Sequence, residues 1–226
     1  RRIAIVGSGL AGLTAAIKLK HEGYDVTVFE KSRGPGGRLA AKRVVDGSVD
    51  IGAQYFTSRN PDFLPFLNEF AGEGSFATWS GQFGFQGKDN QWQGFPDEPR
   101  YVGTPRMTAI SRALSAHATV IAETRIESMV RTDKGWVLTN SNEAEVGVFD
   151  EVIITAPPAQ ARDLLAQSDL PELAAQLDDA VSRVLPCWAV AAHFMKNPWP
   201  RHEGMRCDNP VLFWVANNSS KPGRAS

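Results

Sequence analysis

Gly7, Gly9 and Gly12 stand as GxGxxG within Gly7-Ser8-Gly9-Leu10-Ala11-Gly12, directly after the apolar run Ile3-Ala4-Ile5-Val6. Each spacing has a physical use. The first glycine makes a tight turn, the second lets backbone approach a diphosphate, and the third lets a helix pack on a strand. Free N–H groups at the start of that helix then face the phosphates, so Gly7, Gly9, Leu10, Ala11 and Gly12 are the candidate contacts. Glu30 ends the run Val26-Thr27-Val28-Phe29, where a carboxylate can accept hydrogen bonds from ribose hydroxyls. A second glycine turn follows at once, Lys31-Ser32-Arg33-Gly34-Pro35-Gly36-Gly37-Arg38. Gly36 and Gly37 let backbone close over phosphate, and Arg38 can grip a phosphate oxygen through its planar fork. The first motif does not separate NAD from FAD. A protein that releases NAD has no use for a second clamp, whereas one that retains FAD does. A solvated basic turn holding Arg33, Arg38, Lys42 and Arg43 is the plainer alternative for this stretch.

The elements that must carry these residues are legible from periodicity. Residues 3–6 read as a strand, Leu13 to Glu22 as a helix stopped by Gly23, and 26–29 as a second parallel strand. Val49 to Thr57 begins as a strand, and Asn60-Pro61 opens a helix reaching about Ala71. From Ser75 to Tyr101 glycine, glutamine and aromatic residues predict short strands in an antiparallel sheet. Thr104-Pro105 is expected to cap a helix from Arg106 to about Ala116. Strands are expected around 120–121, 125–130, 136–139 and 151–156, the last apolar enough to be buried on both faces. Helices near 159–167 and 171–180 follow, then strands at 188–194 and 211–216. The fold class is α/β: a Rossmann-type FAD-binding domain with an inserted antiparallel-sheet substrate domain. The division reads as 1–74 and 102–160 for the FAD-binding domain, and 75–101 and 161–226 for the substrate domain.

Composition narrows the function. The chain of 226 residues has 24 basic and 25 acidic side chains, which argues against nucleic acid or an anionic membrane as partner. No run of 18 apolar residues exists to span a bilayer. Arg1 and Arg2 precede an apolar run as in an export signal, but Lys18 and Lys20 close it and no small-x-small cleavage site follows. Cys187 and Cys207 lack metal or redox spacing, which favours a reducing compartment; a cytoplasmic monomer is the expectation. His21, His117, His193 and His202 show no metal spacing either, and no nucleophilic triad is visible.

Three segments, GSGLAGL, VFEKSRGPGGR and DIGAQYFTSR, resemble the bacterial renalase-like branch of the FAD-dependent amine-oxidase superfamily, whose fold is also that of p-hydroxybenzoate hydroxylase. YVGTPRMTAISRAL, VIITAPPAQ, CWAVAAHF and FWVANNSSKPGR extend the resemblance along the chain. It implies that Glu30, Lys31 and Arg38 contact the ADP half of FAD, that Gly52, Ala53 and Gln54 run beside the flavin, that Ile126 meets the adenine side, and that Ala156 closes over the nucleotide. It places the substrate against Tyr55, Phe56, Thr57, Ser58 and Arg59, against Glu98, Pro99 and Arg100, and against Cys187, where relatives often carry a hydroxyl. It also implies a C-terminal segment that covers the flavin, which the polar, turn-rich stretch 217–226 does not supply; that stretch reads as a cut.

The chemistry the resemblance implies is oxidation of off-pathway 2- or 6-dihydro isomers of NAD(P)H. Hydride passes to flavin N5, and O2 then takes the electrons to give hydrogen peroxide. Tyr55 and Phe56 would wall the substrate ring, and Arg59 and Arg100 would attract its phosphates. Two rivals stand: a flavin-containing amine oxidase, and a non-catalytic FAD- or nucleotide-binding protein.

Overall fold

The computed structural model describes residues 1–45, 47–198 and 200–224. Two compact units divide the chain: Arg1–Arg38 with Ser111–Trp188, and Leu39–Ile110 with Ala189–Ser226. The divisions thus fall at 38/39, 110/111 and 188/189, whereas the sequence reading set them at 74/75, 101/102 and 160/161.

The first unit is built on a parallel four-stranded sheet in the order Glu151–Ile154, Arg2–Val6, Asp25–Phe29, Thr119–Ile121. Alternation along the first strand explains its two buried faces. Ile3 and Ile5 pack with Ala16 of the helix Leu10–His21 and with Val26 and Val28. Ala4 points the other way, into a cluster with Phe29, Ile126, Met129, Leu138, Phe149 and Leu164. That second layer is the antiparallel meander Ile126–Thr132, Gly135–Asn140 and Glu145–Phe149. Phe29 meets Phe149 edge to face at 5.7 Å. Leu164 comes from the helix Pro158–Gln167, and Ser168 at its end accepts a 2.9 Å hydrogen bond from the Met129 amide. This packing is why residues beyond 160 group with the Rossmann sheet: Leu164 leaves water only there, a gain of about 1.5–3 kcal/mol for such a side chain.

The second unit holds a mixed sheet in the order Trp214–Ala216, Gly204–Cys207, Phe83–Gln86, Trp92–Gly94. Its middle pair runs parallel, so the expected antiparallel sheet is antiparallel in the outer pairs only. Two small antiparallel pairs, Ala41–Val44 with Gly47–Asp50 and Phe76–Thr78 with Tyr101–Gly103, complete it. Its core is aromatic: Trp79, Phe83, Val102 and Met107 are buried, with Tyr55, Phe56, Phe95 and Trp214 packed against them.

Four expectations need correction. Residues 188–194 form no strand, and Trp188 and Val190 are 94% and 91% exposed. An apolar alternation makes a strand only where a neighbouring ladder supplies hydrogen-bond partners. The strand expected over 211–216 shortens to Trp214–Ala216, because Asn209 Oδ1 accepts from the amides of both Val211 and Leu212 and holds a turn there. The helix expected over 171–180 divides into Pro171–Ala175 and Asp178–Arg183. Pro105 does not open a helix: the helix runs Thr108–Ser115, starting two residues beyond the expected Arg106, and Thr104 Oγ1 is buried without a partner.

Candidate functional site

In the first unit the two glycine turns meet. Gly7 has φ +108, a conformation that glycine adopts without strain. A Cβ on Gly12 would lie 2.0 Å from Gly7 O, so only glycine lets the helix rest on the turn. A Cβ on Gly9 would meet nothing within 4 Å: it would project into open space beside the helix start. Gly37, at φ +52, packs its Cβ position 3.3 Å from Gly9 Cα, and the Gly36 amide donates to Ser8 O at 3.3 Å. The second turn is therefore docked on the first. Arg38 is exposed and makes no hydrogen bond or ion pair among the described residues. Leu10 is half-buried and Ala11 exposed at the helix start, whose first turn carries no acidic residue, while Lys18, Lys20 and His21 fill its last turn. The positive end of that helix dipole is thus left for an anion.

Glu30 is held from both sides. Its Oε2 accepts from the Ser8 amide at 3.0 Å and the Ser8 hydroxyl at 2.6 Å, and its Oε1 accepts from the Ser32 amide at 2.8 Å. Burial acts to raise the carboxyl's pKa, but the bonds from Ser8 and Ser32 outweigh it and hold the group below its ordinary value. With Oε2 occupied twice, Oε1 keeps the acceptor capacity that a ribose hydroxyl needs. Sequence reasoning gave Ser8 no role; a hydroxyl inside the glycine turn was the signal. The Thr155 hydroxyl, in the strand end that the resemblance sets over the nucleotide, donates to Val6 O at 3.1 Å and Gly7 O at 3.0 Å and ties that strand end to the turn. The Ala156 amide lies 3.6 Å from where a Gly7 Cβ would sit. Lys31 Nζ donates to Gln160 Oε1 at 2.8 Å, and Ile126 is 6% exposed inside the hydrophobic cluster around Phe29. Cys187 belongs to this unit's stretch of chain, exposed and outside any strand.

In the second unit, Gly52, Ala53 and Gln54 form a half-buried loop after the strand Gly47–Asp50. The Gln54 side chain is turned back on its own loop: Nε2 donates to Asp50 O and Gly52 O, and Oε1 accepts from Lys221 Nζ at 3.0 Å. Asp50 is the hub beneath. Its carboxylate takes Lys221 Nζ at 3.0 Å, Arg224 and the Met107 amide, and all three charged side chains are fully enclosed. Burial pushes the Lys221 ammonium pKa down; Asp50 opposes the fall and Arg224 adds to it. A charged residue between apolar neighbours, Val49-Asp50-Ile51, was the sequence signal for this network.

Tyr55 lies within an aromatic group, 5.6 Å from Trp214 and 6.3 Å from both Trp79 and Phe83. Phe56 stacks on Tyr101 at 5.5 Å. Thr57 and Ser58 are half-buried and Arg59 is exposed. Glu98 and Pro99 are exposed, but Arg100 is turned inward. It bonds the carbonyls of Glu98 and Pro96, and its guanidinium sits 4.6 Å over Phe83. A side chain so enclosed braces its loop rather than reaching for a phosphate.

Residues 5–70 match the NAD(P)-binding Rossmann-like domain family. Among known proteins, the chain is 52% identical over 52 residues to a zeta-carotene-forming phytoene desaturase of Myxococcus xanthus, covering 23% of this chain and 10% of that protein. It is 39% identical over 69 residues to protoporphyrinogen oxidase 2 of Arabidopsis thaliana, covering 30% of this chain and 14% of that one. Among solved structures, a putrescine oxidase triple mutant superposes with a TM-score of 0.59 at 13% identity, over 73% of this chain and 59% of the other. A putative protoporphyrinogen oxidase from Exiguobacterium does so with 0.59 at 14% identity, over 76% and 63%. This chain thus spans a small part of those sequence relatives and about three-fifths of those structures. The fold is that of the FAD/NAD(P)-binding amine-oxidase-like proteins.

Proposed function

We propose that this chain, carrying the amine-oxidase-like fold, is part of an FAD-dependent oxidoreductase acting on a small molecule, and that its substrate is a 2- or 6-dihydro isomer of NAD(P)H. The observation that carries the cofactor reading is the docking of Gly36 and Gly37 on Ser8 and Gly9 beside open space at Gly9. An exchangeable dinucleotide needs the first turn alone. Gly7, Gly9, Leu10, Ala11 and Gly12 would hold the diphosphate, Glu30 Oε1 a ribose hydroxyl, and Arg38 a phosphate oxygen; Lys31, Gly52, Ala53, Gln54, Ile126 and Ala156 are further cofactor contacts by resemblance. FAD, when bound, would supply the hydride acceptor and the route for the electrons to O2. What the chain adds is positioning: Tyr55 and Phe56 wall the substrate ring, with Thr57, Ser58, Arg59, Glu98 and Pro99 around it. Such a donor needs no general base, which suits a chain without a visible triad.

The likeness to putrescine oxidase favours a second reading, oxidation of an amine. One experiment separates them. Full-length protein is checked for heat-released FAD, then mixed anaerobically with 2- and 6-dihydro-NAD, ordinary NADH and a panel of amines. Fast bleaching of the flavin by the dihydro isomers alone supports the proposal. Bleaching by amines transfers the function to the second reading, and a flavin that no donor reduces leaves a binding protein.

A further inference from the structure

We infer that the loop Ala53–Tyr55, backed by Lys221 and Arg224, is a site for a negatively charged oxygen, and that it selects against cationic amines. The inference rests on the reading above and narrows its substrate class.

Two observations within the second unit carry it. The first is a charge count. Lys221 and Arg224 share one carboxylate, Asp50, and no second carboxylate pairs with either among the described residues. Both side chains are fully enclosed, so water does not screen the excess positive charge, and Arg224 Nε is buried without a partner. The second is an unused row of donors. The amides of Ile51 and Gly52 bond Ala40 O and that of Phe56 bonds Tyr101 O, but those of Ala53, Gln54 and Tyr55 between them have no partner among the described residues. Buried N–H groups are rarely left unpaired, and residues 53–55 are half-buried. An anionic oxygen is an acceptor that could pair with such amides where the protein itself supplies none. Lys221 Nζ reaches Gln54 Oε1 at 3.0 Å, so the excess charge touches the side chain of the middle residue of that row.

The same unit is a poor host for an ammonium group. Three of its aromatic rings already carry one of the protein's own cations: Lys221 lies 5.1 Å over Trp79, and Arg100 4.6 Å over Phe83 and 5.8 Å over Tyr55. The anionic oxygen can come from the substrate, as a carboxylate or phosphate, or from the reduced cofactor.

The test uses full-length, flavin-loaded protein and two flat rings of opposite charge, nicotinate and benzylamine, titrated by calorimetry at neutral pH. Nicotinate is expected to bind at least about tenfold tighter, the scale of one unit charge acting over ~10 Å at an effective dielectric near 20. Lys221→Met is expected to cost nicotinate about tenfold and Lys221→Arg to retain it. The midpoint potential of the bound flavin is read on the same samples. Nicotinate weakening at unchanged potential assigns the oxygen to the substrate. A fall in potential in Lys221→Met without nicotinate binding assigns it to the reduced cofactor. Benzylamine binding as tightly as nicotinate overturns the inference, as does a Lys221→Met protein in which neither the affinity nor the potential moves. Should that variant not fold, Lys221→Gln, which keeps a donor to Asp50, takes its place. Failure of dihydronicotinamides to bleach the wild-type flavin would end the functional reading while leaving these affinities measurable.

Discussion

Three glycines and one acid decide most of what the first unit can hold, and each makes a different claim on free energy. Gly9 and Gly12 look alike in sequence but not in space. A methyl at Gly12 collides with Gly7 O, a backbone atom that cannot swing away, so Gly12→Ala is expected to cost about 3 kcal/mol in urea unfolding. A methyl at Gly9 meets no protein atom. Gly9→Ala should therefore leave the unfolding midpoint within experimental error while reducing FAD occupancy at least about tenfold, read from the flavin-to-protein absorbance ratio. Equal loss of stability in both variants would show that the open space is not a cofactor cradle. Glu30 adds a pH signature. Its carboxyl has a pKa below the ordinary 4.5, so the unfolded chain binds more protons in that range. Its stabilisation is complete above about pH 4.5 and is lost as pH falls through the folded value. Glu30→Gln should flatten that acid limb in urea titrations between pH 5 and pH 3, leaving the slope near neutrality unchanged.

At the level of elements, the parts that local pattern specifies are the parts that were legible. The strand, turn, helix and second strand of residues 2–29 follow from alternation, fixed glycines and β-branched runs, all local signals. The strand Glu145–Phe149 went unread because Glu145-Val146-Gly147-Val148-Phe149 carries two glycine or charged positions, and only pairing with Gly135–Asn140 makes it a strand. The strand Gly204–Cys207 is held likewise by neighbours distant in sequence, Phe83–Gln86 and Trp214–Ala216. The site divides the same way. Glycine turns and the ribose acid announce themselves by spacing, whereas the Asp50–Lys221–Arg224 network joins residues far apart in the chain. Ser168 shows how one such long-range bond fastens an element. Its hydroxyl accepts from the buried Met129 amide and donates to Leu164 O at 2.7 Å. Ser168→Ala leaves that amide unpaired, so a loss of about 1–3 kcal/mol is expected in chemical denaturation. A loss below 0.5 kcal/mol would mean that water replaces the hydroxyl and that the helix Pro158–Gln167 is fastened by Leu164 alone.

For the molecule as a whole, the chain passes between its two compact units three times, and the passages are not equally protected. Around 38/39 the backbone is a short 3₁₀ turn, Gly37–Leu39, and at 110/111 it lies inside the helix Thr108–Ser115. Both are regular structure whose backbone a protease must first unwind. The third passage, at 188/189, has neither helix nor strand from Val184 to Phe194, and its apolar side chains face water. Proteases cut extended, accessible backbone, so brief treatment with chymotrypsin should cleave first after Trp188, which is 94% exposed. Trp79 is 1% exposed and should survive until global unfolding. Mass spectrometry of the first fragments checks this. If Trp188 resists cleavage as long as Trp79 does in the full-length protein, then polypeptide or a partner covers residues 184–194 there. The alternation that reads as a strand in the sequence would then have found its ladder.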